Sequence, residues 1–271
     1  MDRVFDFKLF IENDNNGIFE RSVDSFYHDE LNPIFWKKKK DEDGNIEWIF
    51  DQRVRRKLLR IANDFYAKFP ELLKGRVIKD IQLTGSLSNY NYTNFSDLDV
   101  HVLVNLDGID DENPKVLKAA IDGIRFIWNL RHNTSIRGYD TELYLQSDDE
   151  PHDSSGLFSL LYDKWIKKPS YSTPVIDEMD VSKKYDSIVS DIDKLSTKLR
   201  DLSDLPSNAK VLYGKCLKLK DKIQKMRKEG LSKGGEMAIG NIVFKKLRND
   251  GYIEKLIDIL SKSYDKIYTE K

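Results

Sequence analysis

Residues 81–104 read IQLTGSLSNYNYTNFSDLDVHVLV, and the organisation of the amino-terminal half follows from this stretch. Its last part alternates. Asp97, Asp99, His101 and Leu103 fall on one face of an extended chain, and Leu98, Val100, Val102 and Val104 fall on the other, because successive strand side chains point to opposite sides. The pattern predicts a strand over 97–104 with an apolar underside and two carboxylates on top. A second β-type run, Val77 to Thr84, stops at Gly85-Ser86, and ten residues separate that pair from Asp97. Glycine at such a turn lets backbone N–H groups approach a phosphate, and the Ser86 hydroxyl adds a donor. Two aspartates at i and i+2 on one strand face lie close enough to share hard divalent cations through oxygen ligands. Phosphoryl chemistry needs these two features side by side.

Upstream, Val54, Leu58, Ile61, Ala62, Phe65 and Phe69 recur at helical spacing until Pro70 ends the pattern. Before them, IFWKKKK (34–40) and IEWIF (46–50) flank DEDGN, which predicts a hairpin. Lys37 to Lys40 face Asp41, Glu42 and Asp43 across that turn, so a solvated strand end is favoured over a nucleic-acid contact. Downstream, Pro114 opens a helix with Leu117, Ile121, Ile124 and Trp128 on its apolar side, ending near Asn133. Arg137 to Gln146 reads as another strand, with Asp140, Glu142, Tyr144 and Gln146 on one face, and GLFSLLYDKWI (156–166) as one more. After Pro174 the β signal vanishes. Helices are expected at about 181–203, 207–229, 236–249 and 251–268, separated by Pro206, Gly230, Gly234-Gly235 and Gly251. The expected class is α+β: a mixed sheet with flanking helices and an amino-terminal hairpin over 1–175, then an all-helical domain over 176–271, the halves meeting around a shared cleft.

Among 271 residues, 45 Lys and Arg balance 46 Asp and Glu, which argues against a uniformly basic nucleic-acid coat or an acidic tail. With 39% apolar and 11% aromatic residues the chain can bury a sizeable core. Asp2, Arg3, Asp6 and Lys8 interrupt the apolar residues of the amino terminus, so no secretory h-region is expected there, and no later apolar run reaches spanning length. A single cysteine, Cys216, excludes an intramolecular disulfide framework and a multi-thiolate zinc site. The expectation is a soluble cytoplasmic protein without a membrane partner, in which Cys216 is a small buried helix residue.

A neighbouring strand that presents a carboxylate on the face of Asp97 and Asp99 would complete a metal site. Glu142, in YDTELYLQ (139–146), is placed to do so, and Asp140 on the same face is the alternative. Gly85-Ser86, ten residues, Asp97-Leu98-Asp99 and a later strand carrying Glu142 resemble the motif of the DNA polymerase beta-type nucleotidyltransferase superfamily. The order of helices and strands is similar too. More narrowly, TGSLSNYNYTNFSDLDVHVLV (84–104), TELYLQ (141–146), DEPHDSSGLFSLL (149–161) and GEMAIGNIVFKKLRNDGYIEKL (235–256) resemble small predicted nucleotidyltransferases of tailed bacteriophages. The resemblance implies a nucleotidyltransferase-type sheet in which Gly85 and Ser86 hold a nucleoside triphosphate. Asp97 and Asp99 would bind two Mg²⁺, with Mn²⁺ as the alternative ion, and Glu142 would bind the nucleophile-side metal and help deprotonate the attacking hydroxyl. Glu in the third position departs from the commonest pattern, although parts of the superfamily carry it. The implied reaction moves a nucleoside monophosphate, AMP from ATP by default, to a hydroxyl acceptor and releases pyrophosphate, in a host cytoplasm if the chain is phage-encoded. RNA, a second nucleotide, a protein and a small molecule all stay open as acceptors. The alternative is a catalytically degenerate nucleotide- or RNA-binding module of the same fold.

Further candidates lie in the helical half. Between Asn208 and Lys228 eight Lys and Arg face only Asp221, so a basic face for a triphosphate or an RNA backbone is expected, with Lys218 and Lys222 one turn apart upon it. Asn241 and Lys245, in the phage-like string, are candidates for nucleotide contact. His101 reads as a packing or hydrogen-bonding residue beneath the site, and the spacing of Arg125 and His132 as chance. Tyr90, Tyr92 and Phe95 read as loop anchors ahead of base-stacking residues.

Overall fold

The computed structural model describes residues 27–40, 44–109, 113–152, 154–171, 176–202, 206–269. The amino-terminal segment and the turn carboxylates Asp41, Glu42 and Asp43 lie outside the described residues. The chain divides into two compact units, with Asp24–Ser172 as the one that carries the strands and the carboxy-terminal part from Thr173 as the helical one. The class is α+β with a mixed sheet.

The hairpin forms from β1 (Trp36–Lys40) and β2 (Ile46–Phe50), which pair antiparallel with Trp36 opposite Phe50. Its anchor is apolar. Trp36 and Phe50 are each 1% exposed, and the Trp36 ring stacks on Trp165 at 4.6 Å and meets Phe158 edge-on at 5.1 Å. The lysines of β1 are exposed, as a solvated strand end requires. Helix α1 (Gln52–Tyr66) starts where the Asp51 carboxylate accepts from the N–H groups of Arg53 and Val54, and it buries Val54, Leu58, Ala62 and Phe65.

The sheet comprises β3 (Ile78–Thr84), β4 (Leu98–Val104), β5 (Ser135–Ile136), β6 (Tyr139–Ser147), β7 (Leu157–Ser159) and β8 (Lys164–Lys167) in the order β5-β6-β4-β3-β7-β8. Only β4 and β6 run parallel. A parallel neighbour requires a crossover, and α2 (Pro114–Arg131) provides it. Leu98, Val100, Val102 and Val104 are fully buried in one cluster with Leu83, Leu143, Leu58, Ala62 and Phe65, each buried Leu, Val or Phe stabilising the fold by roughly 1.5–3 kcal/mol. Trp128 of α2 closes this layer, edge-on to Phe65 at 5.6 Å.

Two expectations are corrected here. The strand foreseen from Arg137 begins at Tyr139, because Arg137 (φ 57°) and Gly138 (φ 85°) form the tight turn between β5 and β6. Arg137 holds that left-handed conformation with its guanidinium bonded to the Asp51 carboxylate at 2.7 Å and to the Ile34 carbonyl. The single strand foreseen over 156–166 is instead the hairpin β7–β8. Its turn is fastened by Arg55, whose Nε donates to the Leu160 carbonyl at 2.6 Å and whose Nη2 donates to that of Leu161 at 2.9 Å.

The helical unit contains α3 (Glu178–Arg200), α4 (Pro206–Gly234), a 3₁₀ turn (Gly235–Met237), α5 (Ile239–Asn249) and α6 (Tyr252–Tyr268). Ile192, Cys216, Ile223, Val243, Leu247 and Ile253 lie in its core. Burial pushes the Cys216 thiol up to about 11, so it is an inert packing residue. Gly230, foreseen as a break, lies inside α4. It is a contact point: a Cβ there would sit 3.3 Å from the Asn241 nitrogen, and a Cβ on Gly240 would sit 2.5 Å from the Met226 carbonyl oxygen. The missing side chains let α4 and α5 approach backbone to backbone.

Candidate active site

The turn that ends β3 is shaped around Gly85. Its φ of 73° and ψ of −161° belong to a region essentially restricted to glycine, and a Cβ there would fall 1.9 Å from Asp99 Oδ2. The Asp99 carboxylate therefore packs directly over the glycine backbone. Ser86 donates its hydroxyl proton to Ser96 Oγ at 2.7 Å, and the same Ser96 oxygen accepts from the Thr93 N–H at 2.9 Å. The hydroxyl foreseen as a phosphate donor thus closes the loop that delivers Asp97. Ser88 Oγ lies 3.0 Å from the carbonyls of both Gly85 and Gly156, Asn89 bonds to Ser155, and a Cβ on Gly156 would meet the Ser88 carbonyl oxygen at 1.9 Å. This docking of the turn on Ser154–Gly156 gives the Ser-Ser-Gly string a structural reason that local periodicity does not reveal.

Strand register brings the carboxylates abreast. Asp99 lies opposite Thr84 of β3 on one side and Glu142 of β6 on the other. Adjacent strands run about 4.8 Å apart, so the two carboxylates rise from neighbouring positions on one face. Asp97 stands just before β4, two residues ahead of Asp99. Asp140, two residues before Glu142, pairs with Ser135 of β5.

Tyr144 comes next on the face of Glu142, and its hydroxyl donates to Glu142 Oε2. Its pKa is pushed well above that of an ordinary tyrosine, first by burial and then by the Glu142 and Asp99 carboxylates, so it stays a hydrogen-bond donor. The opposing His101 stacks on Tyr144 at 4.5 Å and donates from Nδ1 to Gln146 Oε1 at 2.6 Å. Burial lowers His101 to about 4, outweighing the Gln146 bond, and leaves the ring neutral at pH 7. Arg125 of α2 sits 4.9 Å from the Tyr144 ring and His132 packs against Trp128, so the two side chains have separate partners. Beneath, Gln82 lies between His101 and Ser159 in register, and Asp80 gathers Ser159 Oγ at 2.6 Å and Gln82 Nε2 at 2.9 Å. Tyr144 and this polar floor were absent from the sequence-based list, although the alternation of Glu142, Tyr144 and Gln146 carried the signal.

No protein-family model, no curated protein and no solved structure matches the chain.

Among the described residues no three His, Cys, Asp or Glu side chains are grouped as a metal-binding cluster. Asp99 and Glu142 stand in register on neighbouring strands and Asp97 lies two residues before Asp99; carboxylate oxygens are hard donors of the type that suits Mg²⁺ or Mn²⁺. The remaining candidates belong to the helical unit. Lys218 and Lys222 line one cleft there. Asn241 is 2% exposed and donates from Nδ2 to the Glu236 carbonyl at 2.7 Å, which ties α5 to the preceding turn, and Lys245 is half-buried on the same helix. Tyr92 stacks on His28 at 3.9 Å and Tyr90 meets Tyr171 edge-on at 5.4 Å, anchoring the loop after the glycine turn. No helix among the described residues is long and apolar enough to cross a membrane.

Proposed function

We propose that the chain is a Mg²⁺-dependent nucleotidyltransferase that moves a nucleoside monophosphate, AMP from ATP by default, onto a hydroxyl acceptor and releases pyrophosphate. The observation that carries this reading is the row Thr84, Asp99 and Glu142 across three strands, with the Gly85 turn against Asp99. Asp97, Asp99 and Glu142 would hold the ions, which supply charge neutralisation at the phosphates and a more acidic acceptor hydroxyl. Gly85 lets the Asp99 carboxylate lie against the turn backbone, and the loop tied by Ser86 and Ser96 keeps that close approach in place. The acceptor oxygen bonds to the α-phosphorus as the bond from that phosphorus to the pyrophosphate oxygen breaks. The hydroxyl proton passes to the Glu142 carboxylate and on to solvent. Tyr144 engages Oε2 of Glu142 and so orients that carboxylate, and neutral His101 adds no competing charge.

The test is incubation with Mg²⁺ and each α-³²P-labelled NTP, with and without cellular RNA, with label resolved in nucleotide, RNA and protein fractions. Label is expected in one fraction and lost in Asp97→Ala/Asp99→Ala, which keeps its fold. Undiminished label in that variant would refute the site. Glu142→Gln should lose far more turnover than Asp140→Asn, and the reverse ranking would move the third ligand to Asp140. Silence in every fraction, with NTP binding seen by calorimetry, would favour the non-catalytic binding module.

A further inference from the structure

The helical unit holds an open cleft of about 770 Å³ lined by Lys184, Lys218, Lys222, Lys225 and Lys233, with Asp221 and Glu229 as the acidic residues of the lining. All five lysines are exposed. Three make only long ion pairs: Lys184 to Asp180 at 4.0 Å, Lys222 to Asp191 at 3.9 Å and Lys225 to Glu229 at 3.7 Å. Exposed pairs of that length contribute little, so these ammonium groups are available to a stronger anion. Met226, Ala238 and Ile239 give the cleft an apolar stretch, and α5 begins at its wall with no side-chain cap. The partial positive charge of that helix end adds to the lysine field.

The spacing identifies the ligand. Lys218, Lys222, Lys225 and Lys233 follow one side of α4, and fifteen helical residues advance about 22 Å. That row is longer than the triphosphate of one nucleotide, and at about 3.4 Å per stacked nucleotide it matches roughly six phosphates of a strand. A row along a single helix follows one phosphate chain, and an apolar stretch suits sugars and base faces of an unpaired strand. We propose that this cleft binds the backbone of a single-stranded polynucleotide, which is the acceptor class for the transfer. The acceptor assignment rests on the nucleotidyltransferase reading; the binding itself does not.

The experiment is fluorescence anisotropy of the full chain with labelled 12-nucleotide oligoadenylate, as RNA and as DNA, between 50 and 200 mM salt. Four lysine–phosphate contacts on a single strand predict a loss of affinity of about 50-fold across that range. Lys218→Gln/Lys222→Gln/Lys225→Gln should lower the salt slope by about 2. The control Lys194→Gln/Lys198→Gln/Lys262→Gln removes the same charge elsewhere and should leave the slope near that of the unaltered chain, with melting curves reporting the fold of both. Tighter binding of RNA than DNA would assign the strand to RNA, and equal binding to either. Equal losses in the two triple variants would overturn the cleft, as would displacement of the oligonucleotide by ATP or tripolyphosphate at matched phosphate concentration. Asp97→Ala/Asp99→Ala should bind the oligonucleotide normally. Binding that persists while the labelling assay stays silent in every fraction would overturn the transfer reading and leave the cleft standing.

Discussion

Replacing Tyr144 with Phe removes one hydroxyl and little else. The ring can still stack on His101 and lie beneath Arg125, so the perturbation isolates the bond to Glu142 Oε2. A hydrogen bond to an ionised group in a buried setting is worth about 1.5–3 kcal/mol. If that bond orients Glu142 toward the ion and the acceptor, its loss converts to about 10- to 100-fold in metal affinity or turnover. The alternative is that the hydroxyl competes with the ion for the carboxylate, in which case its removal would tighten binding. Tyr144 donates to Oε2 and so fixes the plane of the carboxylate, and the orienting effect should dominate. Mn²⁺ binding followed by electron paramagnetic resonance, and Mg²⁺ titration of label transfer, should both shift to higher concentration in Tyr144→Phe. In a Glu142→Gln background the same substitution should add almost nothing. Unchanged or tighter Mn²⁺ binding in Tyr144→Phe would refute the orienting role.

Two further outcomes follow from the same geometry. Gly85→Ala must place a Cβ where Asp99 Oδ2 lies at 1.9 Å, at a φ of 73°, so strain of roughly 1–3 kcal/mol adds to a displaced carboxylate; scanning calorimetry should show a melting point lower by several degrees, and an unchanged one would contradict the close approach. Burial lowers His101 from 6.5 to about 4, so its neutral form stabilises the fold fully above pH 6.5 and that stability is lost as pH falls toward 4. Urea melts should therefore show a loss of about 2 kcal/mol between pH 7 and 5 that His101→Gln largely abolishes, and an equal loss in the variant would place the pH sensitivity elsewhere.

Alternation over 97–104 was legible because one face of β4 is packed and the other polar, the condition under which period-two patterning is unambiguous. Gly85 was legible because its conformation excludes other residues. The features that escaped depend on distant partners. Arg137 carries no turn signal of its own, and in the left-handed region it is held by guanidinium bonds to Asp51 and Ile34. The β7–β8 turn lacks Gly, Pro and Asn and relies on Arg55, more than a hundred residues away. Gly230 reads as a helix breaker in isolation, yet a neighbouring helix makes its small size an advantage.

The pairing of Asp99 with Glu142 is the feature on which the site depends most, and α2 both permits and pins it. It permits the pairing because a parallel neighbour for β4 requires a crossover of this kind. It pins the pairing through Asn129, whose Nδ2 donates to the Leu143 carbonyl at 3.4 Å and whose Oδ1 accepts from the Leu143 N–H at 3.2 Å. Leu143 stands between Glu142 and Tyr144, so the amide grips the backbone at the centre of the site and covers polar groups that β6 would otherwise leave unpaired. A slip of one residue would turn Glu142 to the apolar underside and set a carboxylate among Val100, Leu58 and Phe65. The cost of that burial makes the register, and with it the neighbouring carboxylates, a consequence of the hydrophobic core.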